Sequence, residues 1–336
     1  MSKGPLRKKH LAAGVIDAAI ASIATFGAGL AGLNLLNDVD RGVYGIFFSA
    51  FFLGSIVIAE LILVPAQVIA VGKPLEQRLS VTRRSLGLAV GPGILASSVA
   101  LIAAVLTRDL TSIEVVVALA IPTAVTTVVS PMQDHVRQLL HIAEKSWHAV
   151  AVSAVQFVSI TAMIGILILM DVQRAWVPFG SLATANVISL TVAYVLAKGH
   201  RSDIQDRSSM NFSTLAASGK WLVLRAATPA TLAFVSAYII TELAGPEAYG
   251  YAEAARQVAQ PVTVFSVGLM AVLGPRAVRA GALRDAAAAN SNRVIYLALM
   301  ALGGAAYAAV AGWSWNFNPM AYLIPSAYII GGLAAA

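Results

Sequence analysis

The sequence predicts an all-α, polytopic integral membrane protein of about ten transmembrane helices in two parallel, pseudo-repeated lobes. Three observations carry this expectation. The 336 residues are 58% hydrophobic and 12% charged, with a mean hydropathy of +0.78, more apolar surface than a water-soluble domain can use. Lys and Arg concentrate in alternate gaps between the apolar stretches, as a chain threaded through a bilayer requires. A short motif also recurs halfway along the chain.

A helix needs about 20 mostly apolar residues to cross about 30 Å of hydrocarbon. The first run, 11–36, follows Lys3, Arg7, Lys8 and Lys9 and is too long for the apolar region of a cleaved leader. The second, 43–71, lies between Arg41 and Lys73, and the third, 86–106, follows Arg78, Arg83 and Arg84. Run 113–129 comes after Arg108 and leads to Arg137 and Lys145; runs 148–170 and 176–197 are separated by a gap holding Arg174. The longest gap, 199–220, mixes Arg201, Arg207 and Lys220 with acidic residues and serines. It reads as a cytoplasmic linker between an N-terminal six-helix lobe, 1–198, and a C-terminal lobe, 221–336. In that second lobe lie 221–243, 248–273, 294–313 and a short tenth run, 320–336.

Charge fixes the expected orientation. Eighteen basic residues fall on one side: Lys3, Arg7, Lys8, Lys9, Lys73, Arg78, Arg83, Arg84, Arg137, Lys145, Lys198, Arg201, Arg207, Lys220, Arg276, Arg279, Arg284 and Arg293. Only Arg41, Arg108 and Arg174 fall on the other. The positive-inside rule places the amino terminus in the cytoplasm and the chain in the cytoplasmic (inner) membrane. Trp147, Trp176, Trp221, Trp313 and Trp315 sit at predicted span ends, where amphipathic rings favour the headgroup layer. The net charge of +7 is thus explained by anionic headgroups rather than nucleic acid.

Several chemistries are disfavoured. Without cysteine there is no disulfide, thiolate metal site or cysteine nucleophile. Gly27, Gly29 and Gly32 fit a dinucleotide-binding spacing, but they lie inside an apolar span with no preceding strand, so close helix packing explains them and no cofactor is implied. His141, Glu144 and His148 do not have zincin spacing, and no metal site is expected. No nucleophile, base and oxyanion constellation points to an enzyme, and no extended loop carries the carboxylate pair of a sugar-handling enzyme.

Charges at membrane depth are costly, about 2.5 to 3.5 kcal/mol each on insertion scales, and therefore mark functional sites. Asp17, Glu60, Arg225, Glu253 and Arg256 are such charges. Glu253, Arg256, Gln257 and Gln260 share one helix face by their spacing, as a cavity lining or as a plain packing bridge between Glu253 and Arg256. Arg225 and Arg256 suit an anionic diphosphate, since a guanidinium donates paired hydrogen bonds to phosphate oxygens, although Arg225 can also simply snorkel to the headgroups. Asp17 and Glu60 suit a coupling proton or sodium ion, unless a neighbouring basic residue neutralises Asp17. Pro65, Pro122, Pro229 and Pro261 are candidate bending points or packing kinks.

The recurring motif is Asp40-Arg41-Gly42-Val43-Tyr44-Gly45 and Gly245-Pro246-Glu247-Ala248-Tyr249-Gly250. The copies are six spans apart, which gives parallel repeats about an axis along the membrane normal. With the stretch from Glu253 to Ala280, including Pro275-Arg276, these residues resemble the polysaccharide exporters and lipid-linked oligosaccharide flippases of the multidrug/oligosaccharidyl-lipid/polysaccharide superfamily. Gln133, Asp134 and Arg137 resemble that family's polar exit from the fourth span, which makes Asp134 and Arg137 candidates for a cytoplasmic gate. The resemblance implies a central cavity lined by the first, second, seventh and eighth spans. It also implies that a chain ending at Ala336 lacks part of its second lobe, since such transporters have twelve to fourteen spans. The implied function is a membrane transporter that moves a polyprenyl-diphosphate-linked saccharide from inner to outer leaflet by alternating access, with membrane lipids and glycosyltransferases or a polymerase as partners. A cation-coupled multidrug exporter and a non-transporting membrane scaffold are the alternatives.

Overall fold

The computed structural model describes residues 6–197 and 210–317, and every regular element among them is helical. In order they are α1 (Leu6–Leu35), α2 (Asp38–Ile58), a π-helical turn (Ala59–Leu63), α3 (Val64–Gly72), a 3-10 helix (Leu75–Val81), α4 (Thr82–Thr107), α5 (Ile113–Ile142), α6 (Ser146–Leu169), α7 (Trp176–Leu196), α8 (Phe212–Ala244), α9 (Pro246–Ala282) and α10 (Ala286–Phe317). Seven helical stretches among the described residues are long and apolar enough to cross a membrane: Ala12–Leu35, Asp38–Gly72, Leu75–Thr107, Ile113–Ile142, Ser146–Leu169, Trp176–Leu196 and Phe212–Ala244. The chain is a multi-pass membrane protein. Its flanks are correspondingly apolar, with Leu95, Leu169 and Leu243 at least 75% exposed, an arrangement that hydrocarbon tolerates and water does not. The expected run 320–336 lies outside the described residues.

The helices run further than the apolar runs alone indicate. α5 continues from 129 to Ile142, so Gln133, Asp134 and Arg137 sit within a helix, not in a loop. α8 begins at Phe212, where Asn211 accepts from the amide of Thr214, so 212–220 of the expected linker is helical. Hydropathy loses a helix where its residues become polar, but the backbone hydrogen bonds continue regardless.

Local chemistry sets the remaining ends. Asn37 and Ser112 cap α2 and α5 by accepting from Asp40 and Val115 amides, which satisfies orphan donors of the first turn. α8 stops at Gly245, whose φ of 89° belongs to a region that side chains resist. Arg41 closes α1 by donating to the carbonyls of Leu33 and Leu36. Arg78 donates to the carbonyls of Lys73 and Ile142 and so joins the ends of α3 and α5.

These contacts define two ends of the bundle. At the Asn37 end the Thr111 hydroxyl donates to Asp40, and the turn at 245 meets the start of α2. At the Arg78 end, Arg84 donates to the carbonyl of Met210. Between them α1 lies against α6 and α9, α5 against α7 and α4, and α2 against α4, α8 and α9. Tyr44, Phe48 and Phe51 of α2 pack on Phe179 of α7 with ring centroids 5.3 to 6.2 Å apart.

Prolines inside spans are answered by neighbours. Pro131 cannot donate to Thr127, and the hydroxyl of Ser55 on α2 approaches that carbonyl at 3.4 Å. Pro65 likewise leaves the carbonyl of Leu61 without its usual donor, and the helix passes through the π turn there. Gly219 of α8 lies directly over the carbonyls of Glu60 and Leu61; a Cβ at 219 would collide with both.

Candidate functional site

The charges singled out from sequence do not meet in one chamber; they occupy three separate places. The first lies inside the bundle of α1, α5, α6 and α7. Asp17 is 2% exposed and accepts from Ser153 at 2.5 Å, from His141 Nε2 at 2.8 Å and from Arg137 at 3.4 Å. Arg137 also donates to Asp134 at 2.8 Å and to Ser153 at 3.2 Å. The coupling candidate Asp17 and the gate candidates Asp134 and Arg137 therefore form one cluster. One turn further in, Gln156 of α6 donates to Asn186 of α7 at 2.7 Å, and the fully buried Gln133 has neither amide atom hydrogen-bonded.

The second place is where α9 meets α1 and α2 near the Asn37 end. Glu253 and Gln257 are buried. Glu253 is doubly bonded by the guanidinium of Arg256 and accepts from Gln257 at 2.8 Å. The Arg256 guanidinium also lies over the ring of Phe48, 4.0 Å from its centroid, a cation–π arrangement. Tyr249 and Ser49 share a hydrogen bond of 3.2 Å across the seam. Backbones approach closely there because glycines permit it. A Cβ on Gly29 would strike Gln257, one on Gly42 would strike the carbonyl of Pro246, and one on Gly45 would lie 2.7 Å from the Tyr249 ring. The two copies of the recurring motif thus pack against each other, and Gly29 and Gly32 of α1 serve helix packing, Gly32 facing the ring of Tyr44.

The third place is between the π turn and α8. Arg225 is exposed on α8 and lies within electrostatic reach of Glu60. Arg225 and Arg256 are therefore not adjacent. Their neighbours, Phe48 of α2 and Glu60 of the π turn that continues it, are twelve residues apart, about 18 Å along a helix at 1.5 Å per residue, too far for one diphosphate to bridge. The side chains of Gln260 and Pro261 lie outside the described residues. An open cleft of about 530 Å³ at the Asn37 end is lined by Asp38, Asp40, Thr111 and Glu247; its carboxylates do not suit an anion.

Sequence reading missed Ser153 and His141 as partners of Asp17, and Tyr44, Phe48 and Tyr249 as the surroundings of Glu253 and Arg256. One signal was available for α5. Thr123, Thr126, Ser130, Gln133, Arg137 and His141 recur every three or four residues, a polar stripe along one face of an otherwise apolar helix. Compared with models of known protein families, with curated proteins and with solved structures, the chain matches none.

Proposed function

We propose that the chain is a membrane transporter that carries a polyprenyl-diphosphate-linked saccharide across the cytoplasmic membrane by alternating access, its amino terminus in the cytoplasm and its two parallel lobes meeting at the seam of α1 and α2 with α8 and α9. The observation that supports this most is how the seam is built. Its ion pair, the buried Glu253 with Arg256, lies wholly on α9 at i, i+3, so α9 can leave α1 and α2 without separating these opposite charges. Across the seam there remain, among the described residues, a hydroxyl pair, the Arg256 contact with Phe48, van der Waals contact at glycines, and the electrostatic contact of Glu60 with Arg225 of α8, whose arginine is exposed to water. Such a joint opens at small electrostatic cost, whereas a permanent helix interface has no need to keep its charges on one side.

With the Asn37 end closed, Arg225 and Arg256 are two separate anion stations along α2 rather than a single clamp. Arg225, exposed beside Glu60, receives the diphosphate near the Arg78 end. Arg256, with 41% of its side chain exposed, takes it when the seam parts. Glu253 and Gln257 then line the opened path. The acidic cleft beyond them repels the anion and favours its release.

A disulfide across the seam tests the reading. In the closed seam the Cβ position of Gly250 lies 3.6 Å from Cβ of Arg41, within the spacing a disulfide spans, and the chain has no other cysteine. Arg41→Cys with Gly250→Cys, reconstituted in liposomes with a fluorescent polyprenyl-diphosphate saccharide, is expected to stop transport on oxidation and recover it on reduction. Transport that continues with the disulfide formed excludes seam opening. Efflux of cationic dyes but not the saccharide would favour the drug exporter, and transport of neither in any redox state would favour the scaffold.

A further inference from the structure

We infer that the bundle of α1, α5, α6 and α7 binds internal water at a fixed site between α5, α6 and α7, held by Gln133, Asn186 and Arg137. The winding of the helices brings these side chains to one depth. α5 and α6 are joined by the short turn 143–145, and Arg137 of α5 stands level with Ser153 of α6, 3.2 Å from its hydroxyl. One turn further from the Arg78 end, Gln133 continues the Arg137 face at i−4, and Gln156 continues the Ser153 face at i+3. Gln156 donates to Asn186 of α7 at 2.7 Å, and α7 packs on both α5 and α6. Three amide side chains on three neighbouring helices thus share one level of the bundle.

Their hydrogen bonding does not close among themselves. Both amide atoms of Gln133, Nδ2 of Asn186 and Nε of Arg137 are buried with no partner among the described residues. Gln133 offers an amide NH2 and a carbonyl, Asn186 an NH2 and Arg137 an N–H, so donors outnumber the unpartnered acceptor. Turning either amide over exchanges its oxygen and nitrogen but leaves that surplus unchanged. Buried donors without acceptors are costly, and the acceptor they require comes from outside the chain. An anion does not fit, because the guanidinium is already matched by the buried Asp17, 3.4 Å away, which leaves no net charge to hold one. A metal cation does not fit either, because the site presents mainly N–H groups. Water does: it accepts from Asn186 and Arg137 and donates to the Gln133 carbonyl, within the roughly two to four partners of an internal water. Gln133 and Asn186 have no exposed surface, which limits the ligand to that size. The bound water extends the Gln156–Asn186 link to α5, inside the bundle and away from the seam.

The inference goes beyond the transport reading, because water binding is measured on the resting protein. In solid-state NMR of the nitrogen-15-labelled full chain in deuterated lipid, magnetisation from water protons is expected to reach the side-chain amides of Gln133 and Asn186. Their signals are identified by their loss in Gln133→Leu and Asn186→Leu. Gln133→Leu is also expected to weaken the transfer from water to Asn186 at least about twofold, and to shift the folding equilibrium in mixed micelles about tenfold toward the unfolded state, as the loss of satisfied buried bonds does. No transfer to either amide in the unaltered chain overturns the inference. So does a Gln133→Leu variant as stable as the unaltered chain or more so, because removing an amide that had no partner relieves a desolvation cost. Amide signals that move with sodium but not choline salts would give the site to a metal cation and overturn it as well. Should Gln133→Leu not fold, Gln133→Met, which keeps the side-chain length without the amide, carries the same comparisons.

Discussion

The cluster around Asp17 and the cluster around Glu253 are both buried and both pair an acid with an arginine, yet they do opposite things to the bundle. Asp17, Ser153 and Arg137 stand on three different helices, and their bonds tie α1, α6 and α5 together. Glu253, Arg256 and Gln257 stand on one helix, and their bonds stay within it. The first cluster cannot be pulled apart without stranding a charge; the second moves as a unit. Where the partners stand, rather than how deeply they lie, separates a fixed bundle from a joint.

The sharpest way to break this comparison is to remove the acid from each. Asp17→Leu leaves the buried Arg137 with the half-exposed Asp134 as its remaining countercharge and Ser153 as a neutral partner, and breaking a buried pair of this kind costs about 3 to 5 kcal/mol. Glu253→Leu leaves an arginine that is already 41% exposed and can turn toward water, so the loss of its charge-assisted hydrogen bonds should cost about 1.5 to 3 kcal/mol. Equilibrium unfolding in mixed micelles measures both. Equal losses would mean that the two clusters bear on stability alike.

A second comparison is steric. Gly42→Val places side-chain atoms where Pro246 presents its carbonyl, so it should hold the seam ajar and leave the Asp17 cluster untouched. A single cysteine at Gln257, buried against Gly29 of α1 in the closed seam, reports it. Maleimide labelling of Gln257→Cys is expected to rise about tenfold in the Gly42→Val background, the response to about 1.4 kcal/mol of lost seam stability. Unchanged labelling would show that the close approach is not what keeps the seam shut.

The smallest effect belongs to Tyr249→Phe, which removes the hydroxyl bond to Ser49 across the seam and should cost about 1 kcal/mol. Because Ser49→Ala breaks the same bond, the double variant should be no less stable than the worse single one. Additive losses would assign each hydroxyl a separate partner.

The same contrast explains what could be read from sequence. Glu253, Arg256 and Gln257 declare their common face because helical partners lie three and four residues apart. Asp17 pairs with residues 120 to 136 positions away, and nothing in its own neighbourhood names them. The apolar runs located the membrane-crossing helices up to α8, since hydrocarbon demands a fixed length of them. They misplaced the ends of α5 and α8, where polar residues carry a helix onward. Of Gly27, Gly29 and Gly32, all read as packing residues, only Gly29 and Gly32 sit where a side chain would strike a neighbour, and a Cβ at Gly27 would meet nothing within 4 Å; which helix approached was a matter of tertiary fold.

The π turn at Ala59–Leu63 holds one residue more than an α-helical path would need. Deleting one of its five residues would therefore restore even winding with α3 still in phase with α2, because five residues of a π turn carry the chain about as far round as four of an α-helix. Gln67 would keep its side toward His135. A one-residue deletion here should thus do less harm than one in the middle of α4, where everything beyond it would turn by about 100°, the angle one residue subtends at 3.6 residues per turn.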